Sequence, residues 1–401
     1  MKRILLHISI LLLLSPVCLR AQEASDIIVF HSDSAAVALS AAPKAPQQPR
    51  SGLARWWNSL INGNIDRTFE RPFDFTFAVA PFYSADTGVS FVAQLSALYR
   101  VDRTDSLLQV SNLSLSAGAS WNGTYNVNLM GDHHINRNQR LSYRVEFRRQ
   151  VRDFWGINYD DCNVNTATTS RNLLLNLSAD YQQRIAASGW FWGASMRMFY
   201  NQATVDQPAY LLGQDPKGFF AGFGPLIQYD TRDYSLNPKR GLYFFYRNVI
   251  YPNVISTNAH WLVKTTAQFS AYHSAWKGST FAYDVFFQGS ASRGQILWQM
   301  REISCEDDRR MRGCQAGRYI DNNQLSAQFE IRQNVWKRLG VVAWGGCGTF
   351  YNSLSDISGS RILPTYGAGI RFEFKHNTNI RVDYGRTRNE SVIIFNFGEA
   401  F

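Results

Sequence analysis

From residue 71 to residue 401 the chain alternates apolar and polar side chains with a period of two, and the pattern never turns helical. Successive side chains of a strand point to opposite faces, so this alternation means strands with one apolar and one polar face. Sixteen strands are expected, beginning near Phe75, Val89, Asn112, Tyr125, Arg140, Ser170, Trp190 and Phe219, then near Gly241, His260, Thr280, Gln324, Val341, Tyr366, Asn379 and Ser391. In several the polar face is charged. Ser142, Arg144, Glu146 and Arg148 oppose Leu141, Tyr143, Val145 and Phe147, while Arg381 and Asp383 oppose Ile380, Val382 and Tyr384. Arg371 and Glu373 likewise oppose Ile370, Phe372 and Phe374.

Alternation alone fits a soluble sandwich as well as a membrane barrel; the connections and the two ends separate them. With the first strand running upward, the inner turns are short: RVDRTDS, RIAASG, SAWKGS, WKRLG and KHNTN. The long connections, around residues 153–169, 203–218 and 292–323, all fall on the outer side. An even-stranded outer-membrane barrel with both ends inside has this arrangement. Charged residues are 18% of the chain, below the roughly 25% of a soluble domain, and aromatics are 14%. No internal apolar run reaches the ~18 residues of a membrane helix. The net charge of +10 is scattered over strands and turns rather than clustered, so nucleic acid is not an expected partner.

The N-terminus reads as a secretory signal over residues 1–21, with Lys2 and Arg3 ahead of an apolar stretch too short to span a bilayer. Residues 22–70 form a polar, Ala/Pro-rich linker with one short amphipathic helix around Trp56, Trp57, Leu60 and Ile61. The barrel occupies residues 71–401. Its last strand, SVIIFNFGEAF, places Ile393, Phe395, Phe397 and Phe401 on one face, with Gly398 near its end compatible with weak closure. In an exported chain Cys305 and Cys314, nine residues apart in one loop, either form a disulfide or remain two thiols. There is no CxxC pair, and His133 and His134 read as solvated turn residues, so no metal is expected.

The sharpest expectation lies in residues 311–336, MRGCQAGRYIDNNQLSAQFEIRQNVW. Leu325, Ala327, Phe329 and Ile331 share one face; Ser326, Gln328, Glu330 and Arg332 share the other. A face carrying Glu beside Arg cannot look into lipid, where ionised groups are costly. If the apolar face meets lipid, Glu330 points into the lumen, where Arg312 of the preceding loop, folded inward with Gly313, can pair with it.

Four stretches resemble the BamA/TamA superfamily of outer-membrane barrels, the bacterial surface antigen family. PFYSADTG (81–88) is similar to its first hairpin, and YDTRDYSLNPKRGLYF (229–244) to its inner turn between strands eight and nine. MRGCQAGRY leading to FEIR is similar to its sixth outer loop and twelfth strand, and FNFGEAF to its closing strand and C-terminal recognition signal. The resemblance implies a sixteen-stranded barrel in the outer membrane, with Arg312 dipping into the lumen to contact Glu330. It also implies a structural turn built on Asp230, Arg232, Asp233, Pro238, Arg240 and Gly241, and a weak seam between the first and last strands.

Three departures are visible. Cys314 stands where the family has an aromatic residue, and Gly346 where it has an aspartate, which implies that Arg312 keeps only one of its usual acidic contacts. The periplasmic POTRA repeats have no counterpart in residues 22–70, a segment below the size that sustains a core. No nucleophile elbow, HExxH, Walker loop or dinucleotide fingerprint occurs, so neither an enzyme nor a cofactor is expected. The expected role is assistance in inserting or translocating proteins at the outer membrane, or else a scaffold, docking barrel or specialised transporter without insertase activity. Expected partners are outer-membrane lipids and lipopolysaccharide, together with client barrels or a periplasmic accessory protein.

Overall fold

A computed structural model describes residues 68–84, 88–105, 108–306, 309–375, 378–388 and 390–401. The expected signal (1–21), and the linker with its helix (22–70) up to residue 67, lie outside the described residues. Eighteen strands are described in chain order: β1 Asp74–Ser84, β2 Gly88–Tyr99, β3 Ser111–Ser120, β4 Tyr125–Asn136, β5 Gln139–Phe154, β6 Thr168–Arg184, β7 Trp190–Val205, β8 Lys217–Asp230 and β9 Gly241–Tyr251. They continue with β10 Leu262–His273, β11 Ser279–Ser292, β12 Glu302–Ile303, β13 Ile320–Asp321, β14 Asn323–Trp336, β15 Leu339–Tyr351, β16 Leu363–Lys375, β17 Thr378–Arg386 and β18 Ser391–Phe397. All but β12 and β13 form one sixteen-stranded sheet in sequence order, each strand antiparallel to its neighbours. β12 and β13 pair only with each other, making a ribbon inside the long connection from β11 to β14. Each of the sixteen begins within three residues of its expected start, because turn residues bracket every alternating run.

Burial decides which face meets what. The pattern is inverted relative to a water-soluble protein. Phe77, Ile370 and Trp192 are 69%, 60% and 58% exposed, whereas Arg312, Glu330 and Asp383 are each 0% exposed. Outward Leu175, Phe223, Val285 and Val382 are exposed on the same strands whose inward Asn172, Gln228, Asp284 and Arg381 are buried. An apolar outside around a polar, ion-paired inside is the arrangement of a membrane barrel, where the hydrocarbon covers the apolar side chains. No helix among the described residues is long and apolar enough to cross a membrane.

At the long-loop end, connections from four hairpins converge on one apolar cluster. It joins Ile157, Tyr159 and Cys162 (around the short helix α1, Tyr159–Val164) with Leu211, Trp298, Ile320 and Leu363. Burial pushes the Cys162 thiol up to about 12.

The two edges of the sheet differ from its interior. Among the described residues β1 is bonded only to β2 and β18 only to β17, although β1 and β18 run within 8 Å of each other. The sheet comes round without a ladder closing it. Beyond β18 the chain departs from the sequence expectation. Gly398 takes φ +75° and turns the backbone, so that Glu399, Ala400 and Phe401 enter the lumen instead of extending the strand. Ile393 is 51% exposed on the lipid side, while Phe401 is buried against Tyr272 and Ala282 on the inner wall. The shared face expected for Ile393 and Phe401 is therefore corrected. The cause is Gly398, which reaches a conformation that other residues rarely adopt.

Candidate functional site: a ring of ion pairs in the lumen

The connection from β11 to β14 folds back as a hairpin, with the β12–β13 ribbon at its base and residues 309–314 at its tip. The tip meets Glu330, seven residues along β14 and so about 23 Å from that strand's loop end. The loop thus descends roughly half way through the barrel.

Arg312 at the tip contacts Glu330 directly and lies 3.0 Å from Asp383 Oδ2 of β17. Its guanidinium stacks over Trp344 at 4.1 Å and reaches Gln328 Oε1 at 3.4 Å. Beside Glu330, the one usual acidic contact left to Arg312 when position 346 is glycine, a second carboxylate comes from Asp383 on a different strand.

From these two carboxylates the ion pairs close on themselves. Glu330 Oε2 lies 2.8 Å from Arg332, and Arg332 lies 3.7 Å from Glu399 in the inward-turned tail. Glu399 is 2.8 Å from Arg371 of β16, and Arg371 is 2.6 Å from Asp383. Asp383 returns to Arg312. Three guanidiniums and three carboxylates alternate round this ring, with Arg381 attached to Asp383 at 3.1 Å. Burying one charge without its complement costs several kcal/mol, and alternation gives every member two partners.

Two glycines allow the loop to come this close. Gly313 has φ +115°, and a Cβ there would lie 2.5 Å from the Arg386 main-chain nitrogen. A Cβ on Gly385 would in turn lie 2.8 Å from the main chain of Arg312 and Gly313. Loop and wall meet backbone to backbone. Higher up, Arg310 is held by Asp284 at 2.8 Å, and Arg318 by Glu390 at 3.2 Å.

The ring is tied to the short-turn end through the connection between β8 and β9. Arg232 makes a forked pair with Asp230 at 2.9 and 2.7 Å. Asp233 Oδ1 accepts the main-chain N–H groups of Tyr234, Lys239 and Arg240. Gly241, at φ +107°, passes so near Thr231 that a Cβ would lie 2.3 Å from its carbonyl oxygen. The turn so shaped presents its carbonyls inward: Pro238 O accepts from Arg332 at 3.4 Å, and Leu236 O from the Glu399 N–H at 3.1 Å. Arg332 also donates to Phe401 O at 3.0 Å.

No disulfide joins Cys305 to Cys314. Cys305 Sγ faces Met311 O at 2.9 Å, and Cys314 Sγ lies 3.5 Å from Gln315 O, so the loop's own carbonyls occupy both thiols. Phe395 lies on β18 opposite Val382, and the Phe397 backbone opposite Ile380. The ring members Asp383, Arg332, Arg371 and Glu399, and Gly385 beside the loop tip, were not singled out from sequence as site residues. Their signal was present in the repeated acid–base alternation on β14, β16 and β17, but pairing across strands requires the register.

No protein-family model and no curated protein sequence matches this chain. Solved structures do. BamA from Haemophilus ducreyi lacking POTRA domains 1–3 aligns with a TM-score of 0.51 and 12% identity, covering 80% of this chain and 69% of that one. CdiB from Acinetobacter baumannii aligns with a TM-score of 0.52 and 11% identity, covering 82% of this chain and 66% of that one. In fold, the chain is a sixteen-stranded antiparallel β-barrel similar to those of BamA and CdiB.

Proposed function

We propose that this barrel assists the insertion or translocation of other proteins at the outer membrane. The observation that carries the reading is the unclosed seam: β1 and β18 approach within 8 Å, yet among the described residues no ladder joins them. An edge strand presents a row of unmet N–H and C=O groups, which template a further strand. In hydrocarbon each unmet group costs several kcal/mol, so a seam left open there favours pairing with an incoming chain. Outer-membrane lipids and lipopolysaccharide surround the apolar face, and client barrels or a periplasmic accessory protein are the partners this role calls for.

The test is to deplete the protein in its own host and quantify the other outer-membrane barrels over several generations. A general fall, with unfolded barrels accumulating in the periplasm, is the expected result. Unchanged barrels would overturn the reading. They would favour a docking scaffold or specialised transporter, a role with which the ion-paired loop filling the lumen is equally compatible.

A further inference from the structure

A cavity of about 470 Å³ lies inside the loop-end half of the lumen, between the wall formed by β5, β6 and β7 and the inward hairpin. Its described lining carries six cationic side chains: Arg144, Arg148 and Arg152 on every second inward position of β5, with Glu146 and Gln150 between them, and Lys264, Arg301 and Arg310. Three carboxylates face them, and all are engaged. Glu302 pairs with Lys264 at 2.9 Å, and Glu306 with Arg148 at 2.9 Å. Glu146 also turns to Arg148, at 3.4 Å, while Arg310 is taken by Asp284 behind the lining. Among the described residues two guanidiniums are left without a carboxylate. Arg301 donates to the main-chain oxygens of Ile157 and Ile296, and Arg144 makes no ion pair there.

A second observation lies in the same wall. Asn201 on β7 is 9% exposed and lines the cavity, and its side-chain oxygen, itself closed to solvent, has no hydrogen-bond partner among the described residues. Gln299 Oε1, also in the lining, is in the same condition. Buried amides in folded proteins nearly always have a partner. Asn201 is in register with Leu174 and, one strand further, Arg148, so it faces the arginine row across β6.

We propose that this chamber binds a soluble phosphate-type oxyanion, with Arg144 as its principal charge partner and the Asn201 amide as a hydrogen-bond partner. A guanidinium recognises phosphate through two parallel N–H donors, which suits phosphate chemistry better than a halide. An amide turned to present its NH₂ adds a neutral donor. Arg148 and Arg152 extend the cationic row towards the loops at about 13 Å intervals along β5. The site is independent of the seam and of the ion-pair ring.

The test is titration of inorganic pyrophosphate into the detergent-solubilised full chain by calorimetry, with sodium chloride at matched ionic strength as control. Saturable binding is expected, weakened at least about tenfold by Arg144→Gln and about threefold by Asn201→Ala. Arg144→Lys is expected to fall between wild type and the glutamine variant. Heat-modified gel migration reports whether each variant is a folded barrel. Folded wild type that does not bind, or binding that survives Arg144→Gln and Asn201→Ala, would overturn the proposal. So would binding that appears only when Asp307 and Asp308, next in sequence to Glu306, are both changed to Asn.

Discussion

Arg312 supplies the loop's charge to Glu330 and Asp383, and neither carboxylate is exposed. Arg312→Ala is expected to destabilise the folded barrel by about 3 kcal/mol, because two buried carboxylates lose a partner. Asp383→Asn should cost less than the arginine change, since Glu330 still holds Arg312. The transition to the heat-denatured gel form measures both, and equal shifts would contradict the ring. Gly313→Ala and Gly385→Ala should each displace the loop, because a Cβ at either position meets main chain rather than a movable side chain. The thiols offer a separate check. In the folded protein, without reductant, maleimide is expected to spare Cys162, Cys305 and Cys314, which are buried. After unfolding without reductant, Cys305 and Cys314 should both become labelled. Labelling that requires prior reduction would mean they are bonded.

Strands β1 and β18 should behave unlike the fourteen between them. Their outer edges lack a ladder, so hydrogen exchange at these two strands is expected to be faster by orders of magnitude than at β6, bonded on both sides along most of its length. Equal protection would imply a closed seam. At this scale the sequence was most legible. Period-two runs bracketed by turn residues fix strand number and position, since each strand is a local property of its own residues. Facing was legible for the same reason: Glu330 and Arg332 on one side of β14 admit no lipid contact. What stayed hidden was set by contacts distant in sequence. That Asp383 gives Arg312 a second carboxylate follows from loop and wall geometry, and the inward turn of Glu399 and Phe401 depends on carbonyls of the β8–β9 turn. Alternation extrapolated past Gly398 gave the wrong face for Phe401, because one residue at positive φ resets the pattern.

For the whole barrel, the loop cluster at one end and the inward hairpin below it fill much of the lumen. Removing residues 312–319 is expected to raise single-channel conductance in planar bilayers clearly above that of the intact chain. Unchanged conductance would show that the hairpin does not obstruct the path. The ring itself sets a sequence of events in time. Its members come from the hairpin, from β14, β16 and β17, and from Glu399 beyond the last strand. Until residue 399 has docked, Arg332 and Arg371 lack the carboxylate they share, and the circuit is open. Because Arg312 needs Glu330 on β14 and Asp383 on β17 together, we expect the hairpin to seat only after those strands have paired. Trp344, beneath the Arg312 guanidinium, marks that step: its fluorescence should change only in the slowest refolding phase, and Glu399→Gln should slow that phase and leave the earlier ones intact.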